Sequence, residues 1–193
     1  RIAKQHNSKL KVVVGGPHAT LAPDETLSSE FFDYLVRGEG EYTLLDLVQG
    51  KELSDIAGLS YKDNQGGIIH NPDRGFIEDL DGLPFPDPSL QLIPLGDLNE
   101  NFGVIATSRG CLKKCVFCSS PRLWGRKIRR RSIDNIIAEI SYRYREHGVR
   151  KFYFADDSFN LNKTYGKALC RSVIAHNLKI EFYCEANIGS FDR

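Results

Sequence analysis

The chain has 193 residues, with 26 Lys plus Arg against 25 Asp plus Glu, a formal net charge of +1, 41% hydrophobic and 26% charged residues. That balance excludes a chain too polar to build a core, and the near-zero charge argues against a dedicated nucleic-acid binder. No apolar run approaches the roughly 18 residues of a membrane span, and no secretory signal is visible. With no Met and an opening Arg1-Ile2-Ala3, the chain reads as an internal piece of a longer protein.

Taken in chain order, Lys9–Val14 is a short β-branched run that ends in Gly15-Gly16-Pro17 and reads as a buried parallel strand entering a tight loop. A helix candidate at 25–31 follows, then a second buried strand at Asp33–Val36, the loop Arg37-Gly38-Glu39-Gly40-Glu41 and a helix over 42–48. Strand, glycine loop and helix, twice over, is α/β grammar. Residues 51–100 read as a connector. It holds a hairpin, in which 56–61 and 67–70 flank Asp63-Asn64-Gln65-Gly66, and a Pro-rich extended segment, Leu83–Pro88. From residue 103 the α/β pattern resumes. A strand at Val104–Thr107 runs into a cysteine loop, and Ser132 caps a helix with the apolar stripe Ile133, Ile136, Ile137, Ile140 and Tyr144, closed by Gly148. A strand at Lys151–Ala155, a helix over 163–176 and a strand at Lys179–Cys184 complete a parallel arrangement.

The five cysteines are Cys111, Cys115, Cys118, Cys170 and Cys184. An odd count, with three inside eight residues, does not suit a disulfide framework and points to a metal or cluster site in a reducing, cytoplasmic setting. Cys111, Cys115 and Cys118 have the spacing C-x3-C-x2-C, and soft thiolates bind iron–sulfur clusters or zinc. Three thiolates on a cubane would leave one iron open to a substrate. Zinc, with His147, Cys170 or Cys184 as a distant fourth ligand, is the competing reading. Cys170 and Cys184 otherwise read as small core residues.

Thr107 to Cys118, Thr-Ser-Arg-Gly-Cys-Leu-Lys-Lys-Cys-Val-Phe-Cys, resembles the cluster loop of radical S-adenosylmethionine (SAM) enzymes. The resemblance implies that Cys111, Cys115 and Cys118 hold a 4Fe-4S cluster whose fourth iron is chelated by SAM. It implies reductive cleavage of SAM to a 5′-deoxyadenosyl radical, with a reducing partner of flavodoxin or ferredoxin type and a small-molecule substrate. Phe117 matches the position that packs near the adenine. The family's Gly-Gly-Glu type motif is replaced here by Ala155-Asp156-Asp157-Ser158-Phe159, and either Asp156 or Asp157 could accept a hydrogen bond from the SAM ammonium or simply cap the next helix. Glu185 and Asn187, after the third strand, are SAM or substrate contacts or else a buried polar pair.

The tandem glycine loops, followed by Leu80-Asp81-Gly82-Leu83-Pro84-Phe85-Pro86 and then the cluster loop, resemble the cobalamin-binding subfamily. Ligands in open α/β sheets bind at strand carboxyl ends, which makes Gly15, Gly16, Pro17, His18, Gly38 and Glu39 the expected cobalamin contacts. The Asp-x-His-x-x-Gly cobalt-ligand motif is absent from this stretch, so His18 is expected near the nucleotide tail rather than on cobalt. The implied fold is the C-terminal half of a Rossmann-like cobalamin-binding domain (1–50), the connector (51–100) and the first half of a partial (β/α)6 barrel (101–193). The implied chemistry is methylation, oxidative cyclisation or rearrangement of an unactivated carbon. Alternatives are a methylthiotransferase-like enzyme acting on RNA or protein, and a non-catalytic iron–sulfur or zinc module. The basic run Arg122, Arg126, Lys127, Arg129, Arg130 and Arg131 reads as a solvated segment with one or two arginines turned inward, in preference to an RNA surface.

Overall fold

The computed structural model describes residues 1–87 and 102–187, with the backbone alone of Phe102. Pro88 and the rest of the expected connector, 88–100, lie outside the described residues, as do 188–193. The chain divides into two compact units, Arg1–Ile77 with Cys115–Gly125, and Glu78–Lys114 with Arg126–Arg193.

In the first unit, helix α1 (Ile2–His6) precedes strand β1 (Val13–Val14), which pairs in parallel with β2 (Tyr34–Val36). The ladder is shorter than the expected buried run at 9–14: residues 9–11 are exposed and outside it, and pairing begins where the Val12 carbonyl accepts from the amides of Asp33 and Tyr34. The Asp33 carboxylate accepts from the Val12 amide at 2.8 Å and from Lys4 at 2.6 Å. Two short helices, α2 (Pro17–Leu21) and α3 (Pro23–Ser28), replace the single one expected at 25–31. Each starts on proline, whose fixed φ suits the first helical turn. Helix α4 (Glu41–Val48) follows the second glycine loop, and the short α5 (Ser120–Leu123) follows the cysteine loop.

The hairpin is formed by β3 (Leu59–Lys62) and β4 (Ile68–His70), and the Asp63 side chain accepts from the amides of Gln65 and Gly67 in its turn. Its place differs from the expectation of a connector. Strand β3 pairs antiparallel with β2, so the sheet runs β1-β2-β3-β4. Leu27 and Leu35 on one side, and Ile56 and Leu59 on the other, have no exposed surface.

In the second unit, β5 (Phe102–Ile105), β8 (Lys151–Phe154) and β9 (Glu181–Cys184) form a parallel sheet in that order. Helix α6 (Ile133–Glu146) connects the first pair and α7 (Lys163–Ala175) the second. Strand–helix alternation with neighbouring parallel strands is what the sequence pattern predicts. The core joins Ile105, Phe152 and Phe154 of the sheet to Ile136, Ile137 and Ile140 of α6 and Leu169 of α7. Ser132 caps α6 by accepting from the Asn135 amide at 3.1 Å. Helix α7 is capped by Asn162, which accepts from the Tyr165 amide at 3.0 Å, so neither Asp156 nor Asp157 serves as its cap.

Two short strands, β6 (Ser108–Arg109) and β7 (Arg129–Arg130), pair antiparallel beside this sheet. The basic run turns inward here. Arg129 is buried, and Arg131 reaches Glu139 of α6 at 2.6 Å and the Ala106 carbonyl at 3.3 Å. Glu139 also receives Arg143 through Nε at 3.0 Å and Nη2 at 2.8 Å, forming a buried Arg–Glu–Arg cluster.

Candidate functional site

Parallel pairing sends β5, β8 and β9 out at the same edge of their sheet, and the expected site residues of the second unit follow those three ends. The chain leaving β5 passes through Thr107, Ser108 and Arg109 to Cys111. Cys111 is buried, whereas Cys115 and Cys118 are exposed. All five cysteines are free thiols, so the donor set for a thiolate-bound cluster is intact. Among the described residues, no three His, Cys, Asp or Glu side chains stand close enough together to hold a metal ion. Between Cys115 and Cys118 the loop is tightened by a 3.2 Å bond from the Cys118 amide to the Cys115 carbonyl, and it presents Val116 and Phe117 at 101% and 89% exposure. Cys170 and Cys184 are half-buried, and desolvation pushes both thiols up.

The two aspartates after β8 separate by parity. In strand β8 the inward residues are Phe152 and Phe154, and Asp156 continues that alternation into the interior with 2% exposure. Asp157, one step out of phase, is exposed. Asp156 Oδ1 accepts from Ser108 Oγ at 2.6 Å and from the Ser108 amide. Oδ2 accepts from the Thr107 amide at 3.4 Å, and Thr107 Oγ1 lies 3.0 Å from both oxygens. Burial pushes the Asp156 carboxyl up from its ordinary value, and these hydrogen bonds oppose the shift without cancelling it. Glu185, after β9, is exposed, and its Oε1 accepts from the Tyr153 hydroxyl at 3.4 Å. Asn187 is tied locally. Its amide donates to Asn160 Oδ1 at 3.0 Å and its side chain to Ser158 Oγ at 2.7 Å.

Tyr165 of α7 was not singled out in the sequence, yet its hydroxyl reaches the carbonyls of Thr107 at 3.2 Å and Arg131 at 2.9 Å. Burial is the main reason its phenol is pushed up to about 12.

In the first unit the carboxyl ends of β1 and β2 open onto a cavity of about 460 Å³, lined by Gly15, Gly16, Gly38, Glu39 and Gly40 together with Val36 and Trp124. Such a volume lies within the range of small-molecule sites. Gly16 at φ +94° and Gly38 at φ +68° adopt backbone conformations that side chains disfavour, and a Cβ on either would meet nothing within 4 Å. Both conformations favour glycine, and the open space beside them at the cavity wall fits a cofactor that approaches the backbone closely. Four of the six expected contacts, Gly15, Gly16, Gly38 and Glu39, line this wall. Pro17 and His18 do not. Pro17 opens α2, and the His18 ring is exposed, 3.9 Å from Glu25. Trp124 is a wall residue that sequence reasoning missed. As the single tryptophan, placed just past the cysteine loop, it carried a compositional signal but no local one.

Residues 1–48 match the B12 binding domain family. Along its whole length the chain is 38% identical to an "uncharacterized methyltransferase" of Pyrococcus horikoshii, covering 43% of that protein. It is 30% identical to the anaerobic magnesium-protoporphyrin IX monomethyl ester cyclase of Rubrivivax gelatinosus, over 93% of this chain and 34% of the cyclase. The chain thus spans less than half the length of these relatives. Its fold is similar to that of the radical S-adenosylmethionine methyltransferase TsrM of Kitasatospora setae, solved with cobalamin and a [4Fe-4S] cluster bound. The TM-score is 0.72 at 21% identity, over 94% of this chain and 39% of TsrM. With the B12-type glycine loops in the first unit and the three-cysteine loop after β5, the chain belongs to the family of cobalamin-binding radical S-adenosylmethionine enzymes.

Proposed function

We propose that the whole protein is a cobalamin-dependent radical SAM enzyme that transfers a methyl group to an unactivated carbon of a small molecule. The observation that carries this reading is the donor set itself. Three free thiols, Cys111, Cys115 and Cys118, fall within eight residues of the sequence that follows the parallel strand β5, and barrel enzymes place their chemistry after the carboxyl ends of such strands. When bound, the cluster with SAM would supply a 5′-deoxyadenosyl radical and cobalamin a carrier for the methyl group.

This chain's own residues supply the binding and the shielding. Cys111, Cys115 and Cys118 would hold three irons and leave the fourth for the amino and carboxylate groups of SAM. Phe117, exposed next to Cys118 in the chain, offers an aromatic face for the adenine. Asp157 and Glu185, exposed past the ends of β8 and β9, offer carboxylates to the SAM ammonium. Gly15, Gly16, Gly38 and Glu39 would cradle the cobalamin against the backbone.

Oxidative cyclisation is the second reading, favoured by the 30% identity to the cyclase of Rubrivivax gelatinosus. Product analysis on the full-length protein, reconstituted without oxygen, separates the two. Methyl transfer yields both S-adenosylhomocysteine and 5′-deoxyadenosine in step with product. Cyclisation yields 5′-deoxyadenosine without S-adenosylhomocysteine. Absence of both would refute the assignment.

A further inference from the structure

We propose that Asp156 is a positioning residue for the cysteine loop: its carboxylate fastens Thr107 and Ser108, the two residues that lead into Cys111, to the end of β8. The inference rests on the cluster reading above and assigns Asp156 a role other than holding SAM.

The count of acceptors decides between those roles. A carboxylate offers about four lone-pair directions. Asp156 meets two backbone amides and two hydroxyls, all from Thr107 and Ser108. With 2% of its surface exposed, it has no face left for an ammonium group. Thr107 is held from the opposite side as well, since its carbonyl accepts from the Arg131 amide at 3.0 Å and the Tyr165 hydroxyl at 3.2 Å. Both polar ends of the Thr107 peptide are therefore fixed, and Ser108 then enters the β6–β7 pairing opposite Arg130. Cys111 follows three residues later and is 8% exposed, whereas Cys115 and Cys118 are open to solvent. The first thiol is thus the one the fold arranges in advance. Holding one ligand in place lowers the ordering cost of assembling three. Asp157, out of phase and exposed, is left as the aspartate available to SAM.

The test uses the full-length protein before cluster loading, with iodoacetamide as the probe and peptide mass spectrometry reading each cysteine. Asp156→Ala is expected to raise the alkylation rate of Cys111 by about tenfold or more, as local release of a buried segment does. Cys170, half-buried in the same unit, should keep its wild-type rate. A uniform rise at both would mean general loss of stability and would overturn the positioning role, as would an unchanged Cys111. Should Asp156→Ala fail to fold, Asp156→Asn and the Thr107→Val, Ser108→Ala double variant read the same pattern. Combining Asp156→Asn with that double variant should add little further exposure, because both remove one linkage. Full additivity would overturn the proposal.

After reconstitution, Asp156→Ala should bind several-fold less iron while Asp157→Ala binds the wild-type amount. If the wild-type protein takes up no iron, the cluster reading falls, and the alkylation pattern alone still decides whether Asp156 holds Cys111.

Discussion

Replacing Glu139 by Gln should strongly destabilise the second unit while leaving the first intact. Glu139 is 1% exposed and receives Arg131 at 2.6 Å and Arg143 at 3.0 and 2.8 Å. Gln preserves shape and one acceptor but leaves two guanidiniums without their anion. Removing one partner of a buried ion pair costs about 3–5 kcal/mol, and the retained amide oxygen places Gln near the lower end, at about 3 kcal/mol. Divided by a urea m-value of about 1.5 kcal/mol/M, that is a midpoint shift of about 2 M. Ellipticity at 222 nm is a suitable probe, because α6 and α7, with 14 and 13 residues, are the longest described helices, and helices of one or two turns like those of the first unit give less signal per residue. Fluorescence of Trp124 reports on the first unit and should hold its midpoint. Replacing Glu139 and Arg143 together by Met should recover part of the loss, since apolar residues of similar volume substitute well for buried pairs. A shift below about 0.3 M for Glu139→Gln, equivalent to less than about 0.5 kcal/mol, would show the cluster to be hydrated and refute the reasoning.

Three further outcomes are expected. Ala in place of Cys111, Cys115 or Cys118 should abolish cluster formation one at a time, as measured by iron and sulfide content, whereas Cys170→Ala and Cys184→Ala should retain it. Gly16→Ala should weaken cobalamin binding by about tenfold or more in an optical titration, because φ +94° with ψ −175° is essentially a glycine conformation that costs other residues about 1–3 kcal/mol; its iron content should not change. The buried phenol of Tyr165 gives a pH signature. Its folded value of about 12 lies above the ordinary 10, so the stability it contributes is complete below pH 10 and is lost as pH rises towards 12. Tyr165→Phe should therefore be less stable than wild type by about 1 kcal/mol at pH 8, from the lost hydroxyl bonds, and the gap should close across that alkaline window. A gap that stays constant to pH 12 would contradict the buried, neutral phenol.

Periodicity made α6 legible, because Ile133, Ile136, Ile137 and Ile140 repeat at helical spacing behind a serine cap and before Gly148. The hairpin turn was equally plain in Asp63–Gly66. Its membership of the first sheet was not, since pairing with β2 is a long-range choice that no local signal encodes. The start of α2 is ambiguous in the sequence, because Gly-Gly-Pro suits a tight loop as well as a helix that opens on proline. Asn162, the cap of α7, stands three residues before Tyr165 in a stretch where Asp156 and Asp157 offer competing cap signals. Those aspartates could have been told apart in the sequence. Counting by two from Phe152 and Phe154 reaches Asp156, which places its side chain inside and Asp157 outside. Trp124 and Tyr165 carry no comparable signal, because their positions come from tertiary packing of segments far apart in the chain.

The most direct measurement is the EPR spectrum of the reduced, anaerobically reconstituted full-length protein with and without SAM. A [4Fe-4S] signal that shifts on adding SAM, and that disappears in Cys111→Ala, is the result the account predicts. A cluster signal indifferent to SAM, or zinc in place of iron at Cys111, Cys115 and Cys118, would contradict it.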